Sequence, residues 1–339
     1  MAEGLAARRA REEVRRRQLL LGAVGLAASH ALPQSASAQQ RPGTPLIGFL
    51  DGGQRPTWWA AVKRGMSDLG YVEGRSIRYE SRFAHSDSER LPALAAELVR
   101  LGPAVLVTAG TEATQAAQQA SERIPIVTGS GSEHVSMGFA RSLAHPGGNI
   151  TGLTTQNPDL VGKRVDLLRE LLPTMTQLAV LWQSSSHSSS LSFREVENRT
   201  QALGIAVLNV GVRKREEIAD ALATAAREHA NALLVIGSVF TFDERDQIAS
   251  LARGHKLPAT GSSADYVVSG LLMSYGVDFL DLFARVAGYV DKILKGAKPA
   301  DLPIEQPTKF ELAINNKTAR LLGIRIPSSI LLRADRVID

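Results

Sequence analysis

The chain contains no cysteine. No disulfide framework can form, and no thiolate-held zinc or iron–sulfur centre is available. A leader segment would also leave no thiol to carry a lipid anchor, so the mature protein is expected to be soluble. Aromatics make up only 5% of the 339 residues, so the few that flank loops carry more information than usual. Several catalytic signatures are missing. There is no G-x-x-x-x-G-K-[ST] loop, no H-E-x-x-H pair and no G-x-S-x-G elbow. The seven histidines are scattered without metal-ligand spacing. No catalytic residue, cofactor or metal is therefore expected. No apolar run approaches the roughly 20 residues that span a bilayer.

What is present starts at the N-terminus. Arg15-Arg16-Arg17 is followed by an apolar run from Leu19 to Ala28, and Ser35-Ala36-Ser37-Ala38 closes the segment. A basic n-region, a short apolar h-region and an A-x-A end make residues 1–38 an export signal. Cleavage after Ala38 would leave Gln39 first. Arg16-Arg17 fits the twin-arginine route, while Arg15 in place of the usual Ser or Thr leaves the Sec route open. The segment also distorts the charge. It carries six arginines against three glutamates, so its removal lowers the formal charge from +5 to +2. A nearly neutral mature chain without a later basic block does not read as a nucleic-acid binder.

Beyond residue 44, short apolar segments alternate with helical ones. Leu46–Leu50, Ser76–Phe83, Ala104–Thr108, Ile124–Thr128 and Ile150–Leu153 read as strands. A second run follows with Gln177–Trp182, Ile205–Val210, Ala232–Gly237 and Leu271–Met273, and the chain closes with a final strand over 310–315 and a short helix over 317–322. Helices are expected over 56–69, 88–101, from 111, and over 190–203, 216–229, 243–254 and 279–294. Short apolar strands between helices give βαβ units and doubly wound parallel sheets. Two such runs without an internal sequence repeat predict an α/β protein of two doubly wound parallel-sheet lobes joined by a hinge. The expected division is 44–152 plus 278–296 for lobe one and 153–275 plus 301–339 for lobe two.

Ligands of open α/β sheets bind beyond the carboxyl ends of the strands. Here those loops are rich in Gly, Ser and Thr, which allow close backbone approach and leave N–H groups at helix starts. The expected ligand contacts are Asp51, Gly52, Gly53, Trp58, Gly110, Thr111, Ser132, Glu133 and His134 from the first run. Gln183, Phe240, Tyr266 and Tyr275 are expected from the second. Glu133 is the expected receiver of an ammonium group, loop N–H groups of a carboxylate, and Trp58 the flat apolar wall.

A long ordered series of segments resembles one family. It includes Ile47-Gly48-Phe49-Leu50, Leu69-Gly70-Tyr71-Val72-Glu73-Gly74-Arg75 and His145-Pro146-Gly147-Gly148-Asn149-Ile150-Thr151-Gly152. The strongest block runs from Gly270-Leu271-Leu272-Met273-Ser274-Tyr275-Gly276 to Gln306-Pro307-Thr308-Lys309-Phe310-Glu311-Leu312. The chain resembles the bacterial ABC-transporter substrate-binding proteins of the tryptophan/tyrosine-binding type, with the type I periplasmic-binding-protein fold. That resemblance implies a monomeric periplasmic receptor whose lobes close on a small-molecule solute, an amino acid or aromatic compound, and present it to an ABC permease in the inner membrane. A sensor feeding a receptor kinase, or an exported enzyme, would share the scaffold. The cleft departs from the family pattern at Glu133-His134-Val135, at Gln183 with the following Ser run, and at Ala264-Asp265, so ligand identity does not carry over.

Overall fold

A computed structural model describes residues 43–339 except Ser132 and Gln156, and except the side chains of Asn157, Pro158 and Asp159. The export-signal segment 1–38 and the expected contact Ser132 lie outside the described residues. Among the described residues, no helix is long and apolar enough to cross a membrane.

The first sheet has five strands: β1 (Leu46–Asp51), β2 (Arg78–Phe83), β3 (Val105–Ala109), β4 (Ile126–Ser130) and β5 (Ile150–Gly152). They run parallel in the order β2-β1-β3-β4-β5. Both faces of β1 are buried, as its unbroken apolar sequence requires. Leu50 faces the helices α2 (Leu91–Arg100) and α3 (Thr111–Ala120). Phe49 faces α1 (Pro56–Asp68), where it stacks on Trp59 at 4.8 Å. Pro56 opens α1 at a position that needs no backbone donor.

The second sheet begins after α4 (Asn157–Leu171). Its strands are β6 (Gln177–Leu181), β7 (Ala206–Asn209), β8 (Ala232–Val235), β9 (Ala259–Gly261), β10 (Met273–Gly276), β11 (Glu311–Asn315) and β12 (Arg336–Ile338). The order is β12-β11-β10-β9-β8-β6-β7. Read from β7 to β10, this repeats the strand order of the first sheet, so the internal symmetry is one of structure. Helices α5 (His187–Ala202), α6 (Glu217–Arg227), α7 (Val239–Asp243), α8 (Arg245–Gly254) and α9 (Ala264–Ser269) connect its strands.

Four features differ from the sequence reading. β10 is Met273–Gly276 rather than Leu271–Met273. Ser238–Phe242, read as a loop, contains α7, because Ser238 and Thr241 form a reciprocal capping box. β11 pairs antiparallel with β10, so the second sheet is not wholly parallel. The tail adds to the sheet not only the expected final strand, β11, but also β12, with α11 (Asn316–Leu322) and α12 (Ser328–Leu331) between them.

The helix α10 (Phe279–Leu294) follows β10 and returns to the first sheet, where it packs on α1 and β4. Its buried side chains recur at Leu282, Phe283, Val286, Ala287 and Val290, the stripe of an amphipathic helix. Asp278 caps it, accepting from the Leu280 and Asp281 N–H groups at 2.8 and 3.2 Å. The chain thus passes between the sheets after Gly152, after Gly276 and after Leu294. The first and last passages are tied together where Thr154 N–H donates to the Glu305 carbonyl and Glu305 N–H to that of Gly152, at 3.0 and 2.9 Å.

Candidate functional site

A cavity lies where the carboxyl ends of β1, β3, β4, β8 and β9 face one another. The first lobe contributes Arg55, Trp58, Gly110, Thr111, Glu112, Ser130, Gly131 and, from α10, Phe279. Across it stand Ser188, Gly237, Ser238, Val239, Phe242 and Ser262, with Thr155 from the connecting segment.

The cavity is shut. Ser86 Oγ donates to Asp243 Oδ2 at 2.6 Å, and Ser186 Oγ donates to Glu112 Oε1 at 2.9 Å, both across the cleft. Val239 lies over Gly110 and Gly52, and Asp243 lies against Gly53. One apolar cluster runs continuously through both lobes, including Trp58, Phe240, Phe242 and Phe283.

The electrostatics centre on Arg55, which the sequence reading passed over. Asp51 ends β1 fully buried and accepts from Gly53 N–H at 2.8 Å and Arg55 N–H at 3.0 Å. It also accepts from Arg55 Nε at 3.1 Å and from Arg55 Nη2. The carboxylate is thereby consumed inside the protein; it orients the guanidinium and does not line the cavity. Among the described residues, Arg55 Nη1 makes no hydrogen bond. The guanidinium sits 4.1 Å from the centre of the Trp58 ring, a cation–π arrangement. Trp58 stacks in turn on Phe279 at 4.5 Å and Phe283 at 4.8 Å.

The start of α3 supplies the second polar element. Its cap is Gly110, with no side chain to satisfy the first-turn N–H groups. By contrast α5 and α7 are closed by Ser186 and Ser238. The first turn of α3 lines the cavity at Gly110, Thr111 and Glu112 beside Ser130, a placement that favours an anion.

The expected contacts separate clearly. Trp58, Gly110 and Thr111 line the cavity, and Gly52 and Gly53 lie at the seam between lobes. Glu133 does not line it; its backbone is left-handed at φ 62° and its carboxylate accepts from Ser136. Gln183 pairs with Val212. Phe240 is packed in the core, whereas Phe242 on the same short helix reaches the cavity. Tyr266 is fully buried beneath Phe242 and donates its hydroxyl proton to Thr241 at 3.1 Å. Tyr275 contributes its carbonyl to Arg164 at 2.7 Å and packs on Phe310. Ser188 and Ser262 were missed as individuals, although their loops were recognised, and Glu112 lies one residue beyond the expected Gly110-Thr111 loop.

His134 is buried at 2% exposure behind Gly131, and among the described residues its Nδ1 has no hydrogen-bond partner. Desolvation alone pushes its pKa down to about 4 from 6.5. The neutral form is therefore the folded form, and its contribution is complete above pH 6.5. It is lost as the pH falls from 6.5 toward 4, because the unfolded chain takes up the proton first. Between pH 7.5 and 5 this group should remove about 2 kcal/mol of stability. Urea denaturation at both pH values checks this; in His134→Gln that part of the pH dependence should disappear.

The profile of the ABC transporter substrate binding protein family matches residues 46–338. The chain belongs to this family. This substrate-binding protein is 23% identical over 262 residues to the tyrosine-binding protein of Clostridioides difficile (strain R20291), covering 77% of the chain and 75% of the relative. The ABC domain from Streptococcus pneumonia solved in complex with L-Trp shares 26% identity at a TM-score of 0.81, covering 87% of this chain and 100% of that one. A conserved domain protein from Vibrio cholerae gives the same identity and TM-score over 87% and 99% of the two chains. The fold is that of type I periplasmic binding proteins, and the family work is to hold a small solute for an ABC permease.

Among the described residues, no group of three or more His, Asp or Glu side chains could hold a metal ion.

Proposed function

We propose that this protein is the exported, non-enzymatic receptor of an ABC importer, working as a monomer in the periplasm after residues 1–38 are removed. The twin-arginine pair Arg16-Arg17 favours export in the folded state. The working lobes are 44–152 with 278–296, and 153–275 with 301–339. The solute is an organic carboxylate, an amino acid or aromatic acid, held in the interlobe cavity. A ligand that touches both lobes gains its full contacts only in the closed form, and so shifts the population toward it.

One observation carries the choice of a carboxylate. Asp51 holds Arg55 by Nε and Nη2, leaving Nη1 and the uncapped N–H groups of α3 for an incoming anion. Thr111 and Ser130 offer hydroxyls beside them. Glu112, the acid that lines the cavity, is placed to receive an ammonium group in the role the sequence reading gave to Glu133.

A charge-assisted hydrogen bond contributes about 1.5–3 kcal/mol. Arg55→Ala should therefore weaken carboxylate binding by roughly 10- to 150-fold. Isothermal titration with matched acids and their neutral amides tests this. The wild type should prefer the acid and the variant should not. Equal binding of acid and amide by the wild type would refute the carboxylate reading.

A further inference from the structure

The aromatic half of the cavity is already full. Trp58 is 3% exposed, covered by Phe279, Phe283 and the Arg55 guanidinium. Phe242 crosses from the opposite lobe and closes the remaining side. Its ring lies 5.1 Å from Trp58 and 5.8 Å edge-on to Phe279. It is held there from behind by Tyr266 at 6.0 Å and by the Arg245 guanidinium at 4.7 Å.

What is left is a cavity of about 60 Å³. One water needs roughly 10–15 Å³ by this measure. The closed site therefore has space for about four to six water-sized groups, and its remaining walls are Ser, Thr and Gly together with Arg55, Glu112 and Val239. A phenol or indole on an amino-acid backbone exceeds that space.

We infer that Phe242 sets the upper size of the solute: it fills the slot an aromatic ligand would use, so the closed site takes a small carboxylate of about alanine or lactate size. This rests on the carboxylate reading above and narrows it. It also separates this chain from relatives described with tyrosine or tryptophan. Phe242 would act through shape, on a helix pinned by the Ser238–Thr241 box, whose reciprocal bonds measure 2.9 and 3.1 Å. Swinging the ring aside to admit a larger solute would forfeit its packing on Trp58, Phe279 and Tyr266 together.

The test is a size series measured by isothermal titration and thermal shift on the mature chain. The probes are glycine, L-alanine, L-lactate, benzoate, L-phenylalanine and L-tryptophan. The wild type should bind L-alanine or L-lactate at least tenfold more tightly than L-tryptophan. Phe242→Ala should gain at least tenfold for L-phenylalanine or L-tryptophan, with Phe242→Leu intermediate. Wild-type binding of L-tryptophan as tight as that of the small acids would overturn the size limit and leave the carboxylate reading standing. A wild type that binds no member of the series would instead overturn the carboxylate reading itself. The wild-type series stands whether or not either variant folds.

Discussion

Replacing Asp51 by alanine should lower folding stability by about 3–5 kcal/mol, the range for breaking a buried ion pair from one side. Asp51 is fully buried and Arg55 is 5% exposed, so the orphaned guanidinium could not recover its hydration in the closed form. The loss is compounded because the same carboxylate accepts the Gly53 and Arg55 backbone N–H groups, which would also lose their acceptor. Asp51→Asn keeps an oxygen acceptor and should fall between the two. A second substitution separates charge burial from local packing. Arg55→Met in the Asp51→Ala background should recover a large part of the loss, since an apolar side chain of similar volume leaves no buried charge. Urea denaturation of the wild type, the single variants Asp51→Ala and Arg55→Met, and the double variant gives the coupling energy. A loss below about 1 kcal/mol in the Asp51→Ala protein would mean that the pair is effectively solvated.

Gly276→Ala is the second large effect. Gly276 ends β10 just before the chain passes toward α10, and a Cβ there would overlap the Ser262 carbonyl oxygen and lie 3.5 Å from Arg164 Nη2. Neither obstacle is a free side-chain end. The Ser262 oxygen is backbone, and Arg164 is fully buried with its Nε bonded to the Tyr275 carbonyl. Accommodation must therefore move the loop after β9, which carries Ser262 into the cavity wall. A cost of about 3 kcal/mol is expected, together with weaker solute binding. Gly288 offers an internal control. It lies inside α10, and a Cβ there would meet nothing within 4 Å. Gly288→Ala should stabilise by roughly 0.5–1 kcal/mol, so the thermal midpoints of the two variants should move in opposite directions. Equal midpoints would show that the Gly276 region relaxes freely.

The α/β rhythm was legible because long periodic segments leave strong patterns. Helix α10 matches its expected span residue for residue, since Asp278 caps it and its apolar stripe is continuous. Apart from α4, the elements that escaped are short. β9 has three residues, and α9 has six. Such elements are fixed by neighbours rather than by period. The same limit governs the site. The loops that reach the cavity could be read from Gly, Ser and Thr at strand ends, but the side chains within them could not. Phe240 and Phe242 sit two residues apart on one helical turn, so they point in different directions. Which of them faces the cavity depends on where α7 starts, and a capping box decides that. Glu133 looked well placed by sequence, but its left-handed backbone turns it to Ser136. Arg55 carried a signal that was missed: an acid four residues earlier, at the end of a buried strand.

The return of α10 to the first sheet has a consequence for synthesis. A ribosome releases the chain in order, so β1 and α1 emerge first. The helix that covers Trp58 and packs on β4 arrives only after all five strands from β6 to β10 have been made. Until residue 294 is free, the first lobe shows an unfinished aromatic face to the cell, the kind of nascent surface that chaperones hold. The second lobe's five-stranded half, by contrast, is contiguous in the chain and can fold as it appears. An export machine that accepts only finished cargo must therefore wait for almost the entire protein, whereas one that threads an unfolded chain never meets that half-built lobe.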